Sequence, residues 1–171
     1  SYPESVASKN AAEHITMVLY PNDASVNGKE LRLRQQYFLA SASLKDVMRR
    51  WERINGKDYS SFSDKHCFQL NDTHPSIAVA ELMRLLIDVE RLDWNVAWKQ
   101  VTCCMAYTNH TLLPEALEKW PVPMFESLLP RLLEIICDIN ARFLTVGARR
   151  WPGGTARLAR MSIIEEGETP Q

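Results

Sequence analysis

The sequence has little of what marks several common classes of protein. Only six of its 171 residues are glycine, and it contains neither a Gly-x-Gly-x-x-Gly stretch nor a Walker phosphate loop. Twenty basic residues against 21 acidic ones leave a net charge of −1, whereas nucleic-acid binders usually have a clear basic excess. We therefore expect no glycine-rich phosphate loop and no nucleic-acid partner.

The cysteines and the apolar runs exclude two further classes. Cys67, Cys103, Cys104 and Cys137 match no zinc-binding spacing and are too few for the disulfide framework of a secreted domain. We expect them to be buried free thiols. No apolar run reaches the ~20 residues that a membrane span needs, and the polar start resembles no signal peptide. The sequence therefore predicts a cytoplasmic protein with no membrane partner.

Most of the chain has helical periodicity. Apolar residues recur at three- and four-residue steps in six segments, which predicts helices there. The segments are residues 4–19, 29–54, 76–90, 93–100, 131–151 and 155–163. Gly56 follows the longest helix and suits a left-handed helix end, and Thr155 is a candidate cap for the last helix. Residues 124–129 are expected to form only a short turn.

Two segments repeat the order of strand, polar loop and helix. The candidate strands are residues 66–70 and 101–107, and the second unit continues into a predicted helix that includes residues 114–118. This order predicts parallel strands joined by a crossover, so the expected fold class is helix-rich α/β with few parallel strands. Ligands of such sheets bind at the carboxyl ends of the strands, where both loops lie.

The two loops contain short hydrogen-bonding side chains and one histidine each. They read Asn-Asp-Thr-His at residues 71–74 and Thr-Asn-His-Thr at residues 108–111. This mixture suits carbohydrate hydroxyls, because each hydroxyl both donates and accepts hydrogen bonds. Alternatively, Asp72 or Thr73 merely caps the following helix and the histidines bond to backbone carbonyls. The residues alone leave both interpretations open.

Acidic residues near the second loop suggest another chemistry. Glu115 and Glu118 lie three positions apart and would share one face of a helix. A retaining glycosidase needs two carboxylates about 5 Å apart, and Asp72 with Glu118 is a further candidate pair. Alternatively, these carboxylates only form a solvated helix face. Glycosidase chemistry is therefore one hypothesis for this region.

Long strings of residues resemble the glycogen phosphorylase family in order and spacing. Among them are Gln-Leu-Asn-Asp-Thr-His-Pro at residues 69–75 and Ala-Tyr-Thr-Asn-His-Thr at residues 106–111. The other matching strings are residues 19–23, 28–33, 36–38, 113–118, 128–131, 139–143 and 160–162. The resemblance covers essentially the whole chain.

This resemblance implies an enzyme that cleaves terminal α-1,4-linked glucose from glycogen or maltodextrin with inorganic phosphate, giving glucose 1-phosphate. It implies a two-domain fold of the glycosyltransferase-B type and pyridoxal phosphate bound by a lysine outside this chain. The chain begins at Ser1, lacks a closing element and has few strands, so we expect an internal segment from the later part of the N-terminal domain. Its expected parts are residues 1–28 (subunit-contact helix and gate loop), 29–65 (long helix and loop), 66–120 (sugar-binding edge) and 121–171 (helical region).

The resemblance also implies roles for single residues. His110 and Asp72 are the expected catalytic residues, with His110 contacting the glucosyl unit at the cleavage subsite. The implied substrate-binding residues are Asp23, Arg32, Thr73, His74, Asn109, Thr111, Glu115, Ala116 and Glu118. The implied partners are an α-1,4-glucan, phosphate, the rest of the chain and a second subunit that meets the first helix. In such an enzyme the carboxylates position and polarise the substrate, and none acts as a glycosidase nucleophile.

The sequence departs from the family pattern in two places. Ala24, Ser25 and Val26 follow Asp23, where the family has asparagine and then aromatic residues, and Cys137 stands where glycogen-storing members have an exposed tyrosine. No segment matches the family's cofactor lysine or its phosphate-binding basic residues, so we expect the segment alone to be inactive. The alternative function is a non-catalytic glucan-binding or assembly module.

Overall fold

The computed structural model describes residues 2–19, 21, 24–113, 117–165 and 167. In this part of the chain, helices dominate and two short strands form one sheet. The helices are α1 (Tyr2–Met17), α2 (Val26–Asn55), α3 (Phe62–Lys65), α4 (Ala78–Arg84), which continues as a π-helical turn over Leu85–Val89, α5 (Trp94–Cys104), α6 (Val122–Leu128), α7 (Pro130–Arg150) and α8 (Thr155–Met161). The strands are β1 (Phe68–Asn71) and β2 (Met105–Thr108).

The two strands are parallel, as the repeated order of elements predicts. Phe68 pairs with Met105 at one end of the sheet and Asn71 pairs with Thr108 at the other. Helices α4 and α5 lie between the strands in sequence and form the crossover that a parallel pair requires. The expectation of a helix-rich α/β fold with parallel strands is therefore confirmed.

The second strand is shorter than predicted, because helix α5 extends past its predicted end at residue 100 and reaches Cys104. Residues 101–104 are helical, and Ala97, Val101 and Cys104 form one fully buried face of that helix. Burial at this helical spacing competes with the strand-forming tendency of Val101 and Thr102, and the helix prevails. The first strand is also displaced, since it begins at residue 68 and ends at Asn71.

Several smaller predictions are wrong as well. Residues 122–128 form the helix α6 instead of a turn, whereas Leu117 and Glu118 are not helical. Helix α8 has Gly154 at its N-cap without a side-chain cap bond, so Thr155 is its first residue and does not cap it. In these short segments tertiary packing outweighs the local signals on which the predictions relied.

The long helix α2 begins three residues earlier than predicted, inside the stretch that departs from the family pattern. Ser25 is its N-cap, and the Ser25 hydroxyl oxygen accepts a hydrogen bond from the Gly28 backbone nitrogen at 3.1 Å. The helix ends as expected at Gly56, which has a φ of 63° and donates its backbone N–H to the Glu52 carbonyl. Residues 25–28 are therefore helix start, not loop.

A buried charged cluster joins α2 to α4. The Glu81 side chain is fully buried, and its Oε1 accepts a hydrogen bond from the Ser41 hydroxyl at 2.7 Å. Arg84 donates from Nε and Nη2 to the same carboxylate, at 2.7 and 2.8 Å. Both oxygens of the Glu81 carboxylate therefore accept hydrogen bonds. Because of these bonds, the helices can pack around a charge that would otherwise be costly to bury.

Helix α1 packs little against the rest of the described structure. Most of its side chains are exposed, including Met17 at its end, and so are Val18 and Leu19 after it. The Gln35 side chain of α2 holds its end by donating to the carbonyls of Ile15 and Val18, at 2.8 and 2.6 Å. Among the described residues, no helix is long and apolar enough to cross a membrane.

The cysteines are free, but the expectation that they are buried is wrong for three of them. Cys104 is buried, whereas Cys67, Cys103 and Cys137 are exposed. Burial raises the pKa of the Cys104 thiol to about 11.

Candidate functional site

The carboxyl ends of the two strands bring the two histidine-bearing loops side by side. The Asp72 backbone nitrogen donates to the Thr108 carbonyl at 2.9 Å, which continues the strand pairing by one residue. Within β1, the Gln69 side-chain amide donates a hydrogen bond to the Thr108 hydroxyl of β2 at 2.6 Å. The loops at residues 71–74 and 108–111 therefore begin at the same edge of the sheet.

Asp72 turns the chain sharply at this edge. Its φ of 77° lies in the left-handed region, which is uncommon for residues other than glycine and most accessible to Asn and Asp. The Asp72 carboxylate accepts a hydrogen bond from the Thr73 backbone nitrogen at 2.8 Å. The prediction that Asp72 or Thr73 caps the next helix is wrong, since α4 begins at Ala78 and its N-cap, Ile77, has no side-chain cap bond.

Thr73 reaches across to the second strand. Its hydroxyl and the Tyr107 hydroxyl share a hydrogen bond at 3.1 Å. Tyr107 was not among the predicted site residues, although it directly precedes the second loop and its side chain is 49% exposed. A phenol next to a loop of short polar residues was the signal that could have identified it.

His110 contacts the first loop instead of a backbone carbonyl. Its Nε2 forms a hydrogen bond with the Asn71 side-chain oxygen. The neighbouring Asn109 and Thr111 side chains form local turns. The Asn109 side-chain oxygen accepts a hydrogen bond from the Thr111 backbone nitrogen at 3.0 Å. The Thr111 hydroxyl accepts one from the Leu113 backbone nitrogen, also at 3.0 Å. His110 and Asn109 are exposed, so the imidazole remains open to a ligand.

Arg32 and His74 line the same cavity beside β1. This cavity lies between α2 and β1 and has a volume of about 580 Å³. A volume of this size falls in the range of small-molecule pockets, and its lining is mostly apolar with a few polar groups. The structure thus brings two more of the predicted binding residues together.

Glu118 is held by two residues of α2. Arg32 Nη2 lies 2.5 Å from Glu118 Oε1, and the Gln36 amide donates to Oε1 and Oε2 at 3.1 and 2.9 Å. The Glu118 side chain is only 16% exposed. A carboxylate with both oxygens engaged in this way is suited to a positioning role. Gln36 is a residue of this cluster that sequence analysis missed.

Three predicted site residues cannot be placed. Asp23, Glu115 and Ala116 lie outside the described residues. The prediction that Glu115 and Glu118 share one face of a helix is wrong for Glu118, which lies outside any helix.

Neither a metal nor a lysine-bound cofactor fits the described residues. No group of three or more His, Cys, Asp or Glu side chains is arranged for a metal ion in the described part of the chain. All seven lysines fall within that part: six are exposed, and Lys29 is half-exposed. Lys119 lines a cavity other than the one beside β1, and its amine is paired with Glu165 at 2.5 Å. A shielded amine of the kind a covalently held aldehyde cofactor needs is thus absent from the described residues.

Chemically, the sheet edge offers a set of hydrogen-bond donors and acceptors. It presents the His110 imidazole, the Asp72 carboxylate and the hydroxyls of Thr73 and Tyr107. These groups can bind and orient a polyhydroxylated ligand, since they match hydroxyls that donate and accept.

Comparison with known proteins gives a consistent result over the whole length. A family model described as carbohydrate phosphorylase matches residues 1–171. The chain is 53% identical over 173 residues to the muscle form of glycogen phosphorylase from Mus musculus, covering 97% of this chain and 20% of the relative. It is also 53% identical over 174 residues to the brain form from Homo sapiens, covering 98% of this chain and 21% of the relative.

The fold and the site define a segment of a helix-rich α/β protein with hydrogen-bonding side chains gathered at the ends of its parallel strands. The chain belongs to the carbohydrate phosphorylase family. It spans about a fifth of the length of the curated relatives it matches.

Proposed function

We propose that this chain is part of an α-1,4-glucan phosphorylase that releases glucose 1-phosphate from glycogen or maltodextrin with inorganic phosphate. In this proposal the segment supplies one wall of the sugar site and is inactive alone. The observation behind it is the pairing of the two polar loops at the sheet edge, where Asn71 meets His110 and Thr73 meets Tyr107. The relatives named glycogen phosphorylase support the reaction class.

Within that wall, His110 contacts the glucosyl unit at the bond to be cleaved, and Asp72 orients the reacting groups. His74 and Arg32 belong to the adjoining channel, in keeping with the cavity that both line. Thr73, Asn109, Thr111 and Glu118 add hydrogen bonds or hold the loops, and Asp23, Glu115 and Ala116 complete the substrate-binding set. Phosphate binds to basic residues outside this segment.

The complete protein would have the two-domain glycosyltransferase-B-type fold, with this segment in the later part of its N-terminal domain. Pyridoxal phosphate, bound by a lysine outside this chain, would supply a phosphate group that assists proton transfer. The exposed α1 supports a further part of the proposal, a homodimer formed through that helix. The site of action is the cytoplasm.

Substitution of His110 in the complete enzyme tests the proposal. We expect His110→Ala to lower kcat/KM for glucose 1-phosphate formation by at least 100-fold, because the proposal places its imidazole against the glucosyl unit at the bond to be cleaved. The control is Lys57→Ala, which alters an exposed lysine of the loop after α2, and its activity should stay within twofold of the parent. Near-normal turnover by the His110 variant would refute the site assignment.

A further inference from the structure

Asn71 is placed to control the histidine of the candidate site. It is the last residue of β1, and Thr108, its partner in the sheet register, comes two positions before His110. The next residue, Asp72, is fixed by its backbone bond to Thr108 and by its left-handed conformation. The Asn71 backbone is therefore held on both sides at the point where its side chain meets His110 Nε2.

The contact selects one form of the imidazole. The Asn71 atom in contact is the side-chain oxygen, which can only accept a hydrogen bond. His110 Nε2 must therefore carry the hydrogen, and in the neutral ring Nδ1 is then an acceptor. The Asn71 amide nitrogen keeps two donors. The pair thus offers one imidazole acceptor and amide donors to a ligand at an exposed edge.

We propose that Asn71 is a positioning residue that holds His110 in the Nε2–H tautomer, so that Nδ1 accepts a hydrogen bond from a hydroxyl of the bound glucosyl unit. This inference rests on the proposed function of His110 as a sugar contact. It extends that function by assigning a residue that sets the tautomer and ring orientation. Asn71 itself need not touch the reacting atoms.

Titratable residues of the described part of the chain neighbour the pair in sequence. They are Asp72 and His74 after Asn71, and Tyr107 on β2 before His110. The Asp72 carboxylate is bonded to the Thr73 backbone, and the Tyr107 hydroxyl is bonded to the Thr73 hydroxyl. These contacts leave Asn71 as the side chain hydrogen-bonded to the His110 ring.

Two substitutions in the complete enzyme separate positioning from simple structure. Asn71→Leu keeps a similar shape but removes the acceptor, so we expect about a tenfold lower kcat/KM for glucan, the size of one lost neutral hydrogen bond. Asn71→Asp keeps the acceptor and adds a negative charge, which favours the imidazolium ion. Because the charged ring cannot accept at Nδ1, the acid limb of the pH profile should move up by about one pH unit.

The control is Gln69→Leu, which removes a cross-strand side-chain bond on the same strand without touching His110. We expect its pH profile to be unchanged. In the double variant Asn71→Leu with His110→Ala, the loss should equal that of His110→Ala alone, because Asn71 acts through the imidazole.

The outcomes distinguish the inference from the function on which it rests. If His110→Ala is nearly fully active, the proposed function fails and this inference fails with it. If His110→Ala is crippled but Asn71→Asp leaves the acid limb in place, only the positioning role of Asn71 is overturned. Additive losses in the double variant would overturn it too. Because Asn71 is exposed, and Asp matches its shape, the Asp variant should fold as the parent does.

Discussion

The amide of Gln36 in α2 donates to both oxygens of Glu118, a residue 82 positions later in the chain. Arg32, one turn earlier on the same helix, meets the same carboxylate at 2.5 Å. These contacts tie the segment that follows the second polar loop to the longest helix of the structure. The position of that loop therefore depends on α2 as well as on the strands.

The Arg32–Gln36–Glu118 cluster gives the first prediction. Under the proposed function, Glu118→Ala in the complete protein should raise the KM for glucan several-fold with a smaller effect on kcat, because the segment after the loop loses its contacts with Arg32 and Gln36. Gln36→Leu should act in the same direction but more weakly, since Arg32 still holds the carboxylate. Initial-rate kinetics at varied glucan concentration measure both effects.

A matched control lies on the same helix. Arg34 pairs with Glu30 at 2.7 Å, but both side chains are well exposed, so the pair is worth little. Arg34→Leu should leave KM within twofold of the parent. An equal rise in KM for the Arg34 and Gln36 variants would contradict a specific role of the cluster.

The left-handed conformation of Asp72 gives the second prediction. At a φ of 77°, alanine is strained by about 1 kcal/mol, whereas glycine and asparagine adopt this conformation more readily. We expect Asp72→Ala to be less thermostable than Asp72→Gly or Asp72→Asn. If the carboxylate is needed for reaction, all three variants lose activity. Activity that follows thermostability alone would instead assign Asp72 a purely conformational role.

The sequence predicted the meeting of the two polar loops better than it predicted the extent of the elements around them. The two loops meet because parallel strands end at the same edge, a consequence of element order that the repeated pattern reveals. The extent of β2 was missed because Val101 and Thr102 suit a strand, whereas they lie in a helix whose Ala97, Val101 and Cys104 are buried in the core. Local propensity cannot reveal that competition.

The partners of single side chains were the least predictable feature. Glu118 was expected on a helix face, but its contacts come from α2, far away in sequence. Asp72 looked like a helix cap because it precedes a helical pattern, yet its own φ turns the chain before the helix begins. Such contacts depend on the tertiary arrangement, which a single sequence does not encode in any local pattern.

The buried Glu81 cluster gives the third prediction. Glu81→Ala removes the carboxylate that pairs with Arg84 and accepts from Ser41, and leaves a poorly solvated guanidinium. Breaking such a buried pair typically costs about 3–5 kcal/mol. We expect hydrogen exchange of the α4 amides to become at least about 100-fold faster in the complete chain, as the local opening free energy falls.

A control for this effect is Glu30→Ala, which removes an exposed partner of Arg34 on α2. Its exchange rates in α4 should match those of the parent. The result that would refute the prediction is protection of α4 in the Glu81 variant equal to that in the parent, because the cluster would then contribute nothing to the α2–α4 contact.

The Cys104 thiol gives the last prediction, which concerns pH. Since burial raises the pKa of this thiol to about 11, only about one molecule in a thousand holds the thiolate at pH 8. The thiolate is the reactive form, so N-ethylmaleimide should modify Cys104 far more slowly than the exposed Cys137 in the folded complete chain. The rate at Cys104 should rise about tenfold for each pH unit between 8 and 10, because the thiolate fraction rises in that proportion below the pKa. Peptide mass spectrometry after timed labelling measures both rates, and in denaturant the two cysteines should react alike. Equal labelling of both cysteines in the folded chain at pH 8 would show that Cys104 is not held in an apolar environment.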